Sequence, residues 1–200
     1  MLVLNESLFY TVISMKESMF DNMNEYKNAV TNIAAKGENN LLHNAGNDHA
    51  LIIFENIFKN AQKEILISAR DLTNSEVSNK EEYINSLLSF LDHNADSKLY
   101  ILVSDFQESY KNFDLYKKLA NSIAYKENRI KIKNSNGFQF TSGGITIHFC
   151  VADNRMYRLE TDVQKRTAIC NFGDEETANK LANAFWDGFN AETSDEVTLI

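Results

Sequence analysis

Residues 145–160 read ITIHFCVADNRMYRLE, and this stretch governs the interpretation of the whole chain. Two segments of strand-forming residues, 145–152 and 155–160, flank the pair Asp153-Asn154. Two strands separated by two turn-forming residues predict a β-hairpin. A further strand is predicted at 167–171, where the sequence is TAICN. We therefore expect a hairpin followed by another strand in the C-terminal part of the chain.

Upstream of the hairpin, segments with helical periodicity alternate with short, strongly apolar segments that are typical of buried strands. Because the connections are short and crossovers are right-handed, this alternation requires a parallel sheet covered by helices. The acidic residues 174–176 favour the start of a last helix, where its dipole is positive. The sequence thus predicts an α/β fold with a mixed, mainly parallel sheet flanked by helices. The predicted helices lie at about 50–61, 83–91, 113–123 and 178–189, and the predicted strands at 65–69, 99–103 and 129–133.

The first part of the chain differs from this regular alternation. Five apolar residues recur there at helical spacing, which predicts an amphipathic helix, and polar stretches at 36–40 and 44–48 end it. We therefore expect a helical appendage over residues 1–45 and an α/β domain over residues 46–200. The C-terminal segment from residue 192 is acidic, and a short last strand is predicted at 197–200. The five apolar residues of the first helix are Met15, Met19, Met23, Tyr26 and Val30.

The composition excludes several classes of protein. Among 200 residues, 20 are basic and 28 acidic, for a net charge of −8, which disfavours a general nucleic-acid binder. No apolar run approaches the roughly 18 residues that span a bilayer, and residues 1–6 lack the basic start of a secretory signal. Two cysteines and four scattered histidines show no metal-ligand spacing, and no glycine-rich phosphate loop is present. We expect a cytoplasmic protein without membrane contact, metal or cofactor.

The order of these segments resembles one half of the phospholipase D-like (PLD-like) superfamily, over about residues 47–190. The resemblance is nearest to the small, catalytically degenerate PLD-like proteins of bacteria, which keep a His-Phe hairpin followed by Tyr-Arg. The segments that carry it are KEILISARDL at 63–72, LYILVSD at 99–105, RIKIK at 129–133, HFCVADNRMYRLE at 148–160 and FGDEETANKLANAFWDGF at 172–189.

The active motif of that superfamily is His-x-Lys-x4-Asp. The resemblance implies that His148 stands at the position of the histidine, which attacks the phosphorus of a phosphodiester. The lysine, which neutralises phosphate oxygens, is replaced by Cys150, and the aspartate position holds Arg155. Asp153 lies two residues too early for the motif. Members with a single motif build their site across a dimer, where one histidine attacks and the other protonates the leaving group.

The loss of the lysine removes a fixed positive charge, and electrostatic stabilisation of this kind is usually a large catalytic contribution. Arg155 and Arg158 are the two candidates on the neighbouring strand to supply a charge, and the spacing does not choose between them. His148 also has two interpretations: a catalytic nucleophile, or a partly buried histidine of a β-hairpin.

Ligands in open α/β sheets bind beyond the carboxyl ends of the parallel strands. Arg70 and Asp71 follow the first predicted strand, and Asp105 follows the second. We therefore expect these residues to line a ligand site together with Arg155 and Arg158. The alternative for Arg70 and Asp71 is a surface ion pair of little energetic consequence.

Residues 111–133 form the one basic stretch of the sequence, with seven basic and two acidic residues. A solvated surface explains such a stretch, and so does contact with a nucleic-acid backbone. For the second interpretation, the candidate binding residues are Lys126, Arg129, Lys131 and Lys133.

A retained scaffold with a dismantled motif favours a non-catalytic PLD-like protein with a binding or regulatory role. By analogy with the fold, such a protein is expected as an accessory of a bacterial defence or nucleic-acid-processing system. It would contact a protein partner or a second copy of itself. Two alternatives stay open: a homodimeric phosphodiesterase or nuclease that uses His148, and a nucleic-acid-binding module that uses the basic stretch.

Overall fold

The computed structural model describes residues 23–163 and 165–200. Its helices are α1 Met23–Lys36, α2 Asn47–Asn60, α3 Glu81–His93, α4 Asp114–Asn121, α5 Ile123–Lys126 and α6 Glu175–Phe189. Its strands are β1 Leu42–Asn44, β2 Glu64–Ala69, β3 Lys98–Val103, β4 Ile130–Asn134, β5 Thr141–Ser142, β6 Ile145–Thr146, β7 His148–Ala152, β8 Met156–Asp162, β9 Thr167–Asn171 and β10 Asp195–Glu196. A 3₁₀ turn, Glu108–Asn112, precedes α4.

Eight of these strands form one mixed sheet in the order β1-β9-β8-β7-β2-β3-β4-β10, and β5 and β6 form a separate pair. Strands β2, β3 and β4 are parallel to one another, as the alternation of strands and helices predicted. The remaining neighbours in the large sheet pair antiparallel. The α/β class is therefore confirmed, with the parallel arrangement confined to the three strands that helices connect.

The predicted hairpin is present as β7 and β8. Asp153 and Asn154 both have positive φ, at 52° and 54°, and the loop contains one residue more than predicted, because Ala152 pairs with Met156. The Asp153 carboxylate accepts hydrogen bonds from the backbone N–H groups of residues 62, 63 and 64, at 2.7, 2.8 and 3.0 Å. These contacts fix the turn against the start of β2, so the hairpin and the parallel strands form one rigid unit.

Each face of the sheet is covered by its own apolar core. Helices α1 to α5 lie on one face, and α6 lies on the other. Strand β2 alternates between them, since Ile65 and Ile67 pack into the first core and Leu66 into the second. Burial on both faces explains why the central strands are continuous apolar runs. The apolar face of α6 is buried as predicted, with Ala178, Leu181, Ala182, Phe185 and Phe189 at most 3% exposed.

The boundary expected at residue 45 does not coincide with a break in packing. Tyr26, Val30 and Ala34 of α1 are buried in the same core as the helices that follow. Strand β1 extends the sheet by pairing antiparallel with β9, with Leu42 opposite Cys170. The described part of the expected appendage therefore belongs to the α/β domain. Met15 and Met19, the first residues of the predicted helix, lie outside the described residues.

The closing strand lies slightly earlier than predicted. Asp195 and Glu196 pair antiparallel with β4, whereas residues 197–200 are not in a strand. Val197 still donates a backbone hydrogen bond to Ile132, and Leu199 donates one to the Tyr125 hydroxyl. Among the described helices, none is long and apolar enough to cross a membrane.

Candidate functional site

A pocket of about 290 Å³ opens at the carboxyl end of β2, between the hairpin and helix α2. This is the edge of the sheet at which open α/β folds bind ligands. The hairpin supplies polar residues to it, the β2–α3 loop supplies both polar and apolar residues, and α2 supplies apolar ones. The charged residues and the histidine that line it are Arg70, Asp71, His148, Arg158, Glu160 and Arg166.

Glu160 is the centre of the polar half of this pocket. Its carboxylate lies 3.1 Å from Nδ1 of His148, 3.5 Å from Nη2 of Arg158 and 3.6 Å from Nη1 of Arg166. Burial alone would raise the pKa of Glu160, but the hydrogen bond with His148 and the two guanidinium charges hold it below its usual value. Glu160 is therefore ionised at neutral pH and neutralises part of the positive charge around it.

The imidazole of His148 is held in one orientation by this carboxylate. An ionised carboxylate only accepts hydrogen bonds, so Nδ1 carries the proton and donates it to Glu160. No hydrogen bond from a described residue reaches Nε2. In the neutral ring, Nε2 is thus the nitrogen that keeps a free lone pair.

Arg158 lies directly opposite Cys150 in the β7–β8 pairing. Both side chains therefore point to the face of the sheet that carries the first core. The Arg158 guanidinium lies 5.0 Å from the ring centre of Phe54, and the residue is only 4% exposed. Nε and Nη2 make no hydrogen bond to any described residue. Donors buried without an acceptor are rare in proteins and costly, which makes this guanidinium the most unusual feature of the pocket.

The two cysteines that flank Arg158 do not contribute charge. Cys150 and Cys170 are its Cα partners on β7 and β9, and both are free and buried. Burial raises the pKa of each thiol to about 12, against the smaller opposing effect of Arg158. Both thiols are therefore neutral at physiological pH, and Cys150 does not replace the charge of a lysine.

Arg155 lies at the opposite end of the hairpin from His148 and does not line the pocket. Its Nη1 donates to the carbonyl of Phe172 at 3.1 Å, and its Nη2 donates to the carbonyl of Asn60 at 3.0 Å. The sequence left Arg155 and Arg158 as alternatives for a charge near His148, and the structure brings only Arg158 to that position.

Arg70 and Asp71 reach the rim of the pocket as an ion pair, with Nε 3.1 Å from Oδ2. The same Nε lies 3.9 Å from Oδ2 of Asp105, which lines a neighbouring open groove rather than the pocket. The Arg70 side chain is 61% exposed, so these contacts add little stability. The two carboxylates nevertheless offset the positive charge of Arg70 at the rim.

The basic stretch is divided by its tertiary contacts. Arg129 donates to the carbonyls of Leu91 and Ser97, at 2.7 and 3.3 Å, and thereby satisfies groups near the end of α3. Lys133 donates to the carbonyl of Phe189 at 2.9 Å and lies over its ring. Lys126 and Lys131 are exposed. Two of the four candidate nucleic-acid contacts thus hold the fold together.

Glu160 and Arg166 were missed by the sequence reasoning. Glu160 had a detectable signal, because it follows Arg158 by two residues on a predicted strand and so shares its face. The register was not predictable in the same way, because counting outward from a two-residue turn places Leu159 opposite His148, whereas Glu160 lies there in the structure. Arg166 precedes β9 at the end of a loop, where no periodicity predicts its direction.

The hairpin, the parallel strands and the pocket at their edge define a PLD-like fold. No protein-family model and no curated protein matches the chain. Among solved structures, Nuc from Salmonella typhimurium, a phospholipase D family member, is similar, with a TM-score of 0.55 and 13% identity over 80% of this chain and 99% of Nuc. NucT from Helicobacter pylori has a TM-score of 0.51 and 12% identity over 80% of this chain and 100% of its own.

A third similar structure is TrmBL2, described as an archaeal chromatin protein with a novel mode of DNA binding. The match has a TM-score of 0.53 and 15% identity, and it covers 87% of this chain and 63% of TrmBL2. At these identities the comparisons establish the PLD-like fold. Within the described residues, no group of three or more histidine, cysteine or acidic side chains is arranged to hold a metal ion.

Proposed function

We propose that this protein is a PLD-like binding protein whose pocket recognises a phosphate group. The observation that carries the proposal is the buried guanidinium of Arg158, a residue that lines the pocket: Nε and Nη2 make no hydrogen bond to a described residue, and Nη2 has only the Glu160 carboxylate at 3.5 Å. These two N–H groups form one edge of the guanidinium fork, which matches two oxygens of a phosphate or carboxylate. An anion bound there would remove the cost of the unpaired donors.

The charge of the pocket supports an anionic ligand. Three arginines and two carboxylates line it, which leaves one net positive charge while His148 is neutral. A charge of this sign inside a concave site raises the local concentration of anions, even though the whole chain carries −8. Since Arg158 stands opposite Cys150, it places positive charge beside the position of the motif lysine.

Binding is favoured over catalysis because one chain supplies one imidazole to the pocket. The other three histidines, His43, His49 and His93, all lie in the described chain and do not line it. A single imidazole can attack phosphorus, but it cannot at the same moment protonate the departing oxygen. Within one chain, the pocket therefore has the groups to hold a phosphate ester but lacks a paired acid.

The proposal is tested by calorimetric titration of the protein with inorganic phosphate and with dimethyl phosphate. Arg158→Met keeps a long side chain but removes the charge, and we expect it to abolish binding of both anions. Because Arg158→Met leaves the buried Glu160 carboxylate with one counter-charge fewer, its melting temperature is expected to fall, and the titrations are made at a temperature where the variant is folded. Lys126→Met, which removes an exposed lysine, is the control. Unchanged binding by Arg158→Met would overturn the proposal.

A homodimeric phosphodiesterase is the second candidate, favoured by the contact of His148 Nδ1 with Glu160 at 3.1 Å. Nε2 would form a bond to phosphorus while the ester bond to the leaving oxygen breaks. That oxygen would take its proton from the imidazole of a second copy, and water would then release the phosphate from the histidine. Hydrolysis of bis(4-nitrophenyl) phosphate that is lost in His148→Ala, by a protein that is dimeric in light scattering, would establish this candidate over pure binding.

A nucleic-acid-related role is a third proposal, and DNA binding by TrmBL2 is what suggests it. Of the four candidate contact residues, contacts within the fold occupy Arg129 and Lys133, which leaves Lys126 and Lys131 exposed. Salt-dependent retardation of DNA that weakens in Lys126→Ala/Lys131→Ala would support it. We place the phosphate-binding role, with self-association or a protein partner, in an accessory component of a bacterial defence or nucleic-acid-processing system.

A further inference from the structure

We infer that the ligand of this pocket is a small phosphate ester with one compact apolar substituent about the size of an aromatic ring. The inference rests on the proposed function, because it takes the anion on Arg158 as given. It adds the chemical nature of the rest of the ligand, which follows from the apolar wall, the size and the rim of the same pocket.

The half of the pocket that faces the charged cluster is apolar. Phe54 and Tyr83 meet edge to face with ring centres 5.1 Å apart, so they form a fixed aromatic wall. Leu72 and Val77 of the β2–α3 loop line the same cavity. Since the anion is held at Arg158, which lies over Phe54, a group attached to that anion enters contact with this wall.

Tyr83 adds a polar group at the inner end of this wall. The residue is 1% exposed, lines the pocket, and its hydroxyl has no hydrogen-bond partner among the described residues. With Nε and Nη2 of Arg158, the Tyr83 hydroxyl is a third buried donor without a hydrogen-bond partner among the described residues, in a residue that lines the cavity. The combination of a few convergent donors and an apolar lining is typical of sites for small molecules.

The size of the pocket and the charges at its rim limit the ligand to one phosphate. A cavity of about 290 Å³ is at the small end of ligand sites, which run from roughly 300 to 1,000 Å³. At the rim, Arg70 is compensated by Asp71 and Asp105, so this arginine is not free to bind a second phosphate. A polynucleotide would bring its neighbouring phosphates against these carboxylates.

The test compares methyl phosphate with phenyl phosphate, which carry the same charge and differ only in the substituent. Calorimetric titration of the full chain is expected to show phenyl phosphate binding about tenfold more tightly, from burial of part of the ring. A 12-residue single-stranded oligonucleotide is expected to bind more weakly than either ester.

Leu72→Asn is the variant for this test. Leu72 has a positive φ of 59°, a conformation that asparagine adopts readily, so the substitution removes an apolar wall residue without straining the backbone. We expect it to reduce the preference for phenyl phosphate to below about threefold, since the contact is lost, and to leave methyl phosphate binding unchanged. Leu41→Asn, at a residue that is 41% exposed and outside the pocket, is the control.

The outcomes separate the two claims. Equal binding of both esters, abolished by Arg158→Met, would overturn the inference and leave the proposed phosphate site in place. Tighter binding of the oligonucleotide that depends on Arg158 would also overturn it, in favour of a polymeric ligand. Failure of both esters to bind, or binding that survives Arg158→Met, would overturn the proposed function and the inference together.

Discussion

Cys150 and Arg158 face each other across the β7–β8 hairpin, on neighbouring strands of the sheet. The cysteine is neutral and buried, so the only formal charge of this pair is on Arg158. The hairpin therefore presents a cation near His148, and Arg158 rather than residue 150 carries it. That relationship is the basis of the phosphate site proposed for this chain.

The charge should be transferable across the hairpin. In Arg158→Met we expect no phosphate binding, and adding Cys150→Lys should restore it, because the new ammonium group starts from the facing residue. Calorimetric titration with inorganic phosphate measures the effect. Cys150→Lys alone places two cations side by side in a buried site and should lower the melting temperature. A double variant that binds no better than Arg158→Met would contradict the transfer.

Glu160→Gln should be strongly destabilising, because it leaves Arg158 buried without its counter-charge. Loss of one partner from a buried ion pair costs about 3–5 kcal/mol of unfolding free energy, measurable by urea denaturation. The matched control is Glu127→Gln, which removes the carboxylate 2.9 Å from Arg129 where the glutamate is 53% exposed. For that exposed pair we expect a change below about 1 kcal/mol. Equal effects of the two variants would mean that the Glu160 cluster is solvated.

The contribution of Glu160 to stability should depend on pH. Because the folded protein holds the pKa of Glu160 below its ordinary value, the unfolded chain binds this proton first as the pH falls. The stabilisation is thus complete above the unfolded pKa, about 4.3, and is lost as the pH falls through the lower folded value. Urea denaturation of wild type and Glu160→Gln should show a stability difference that is constant from pH 6 to 7 and shrinks toward pH 3. A stability difference that grows as the pH falls would show that folding does not lower the pKa of Glu160.

Asp153 should prove to be a structural residue, although its type and position invite comparison with the motif aspartate. Asp153→Ala removes three hydrogen bonds to backbone N–H groups and is expected to cost about 2–4 kcal/mol of stability. Asp153→Asn keeps an acceptor and tolerates the positive φ of this turn, so it should cost less. Both variants should bind phosphate as the wild type does, by calorimetry at a temperature where they are folded. Loss of phosphate binding in folded Asp153→Asn would assign Asp153 to the site.

Local sequence patterns were enough to predict the central strands, the hairpin and α6. In each of these elements apolar residues recur at short, regular intervals, because one or both faces of the element are buried. Strand β1 was not predicted, because three residues are too few to show an alternation of apolar and polar side chains. The strand depends instead on pairing with β9, which is distant in sequence. The packing of α1 in the same core as the following helices was not predictable for the same reason, since it is a tertiary property.

The candidate site was predictable only where it follows strand geometry. His148 and Arg158 lie on predicted strands, but their common face depends on the observed register, in which Arg158 lies opposite Cys150. Which of Arg155 and Arg158 would reach the pocket required the position of the turn and the carbonyls that capture Arg155. Likewise, the sequence shows the charge of Arg129, but it does not show that this side chain donates a hydrogen bond to the Leu91 carbonyl near the end of α3.

The most direct test of the phosphate site is a crystal structure of the protein grown with phenyl phosphate at saturating concentration. We predict that phosphate oxygens lie within about 3 Å of Nε and Nη2 of Arg158, with the phenyl ring against Phe54 and Leu72. A phosphate bound elsewhere, with the Arg158 guanidinium still unpaired or hydrogen-bonded only to protein groups, would contradict the account.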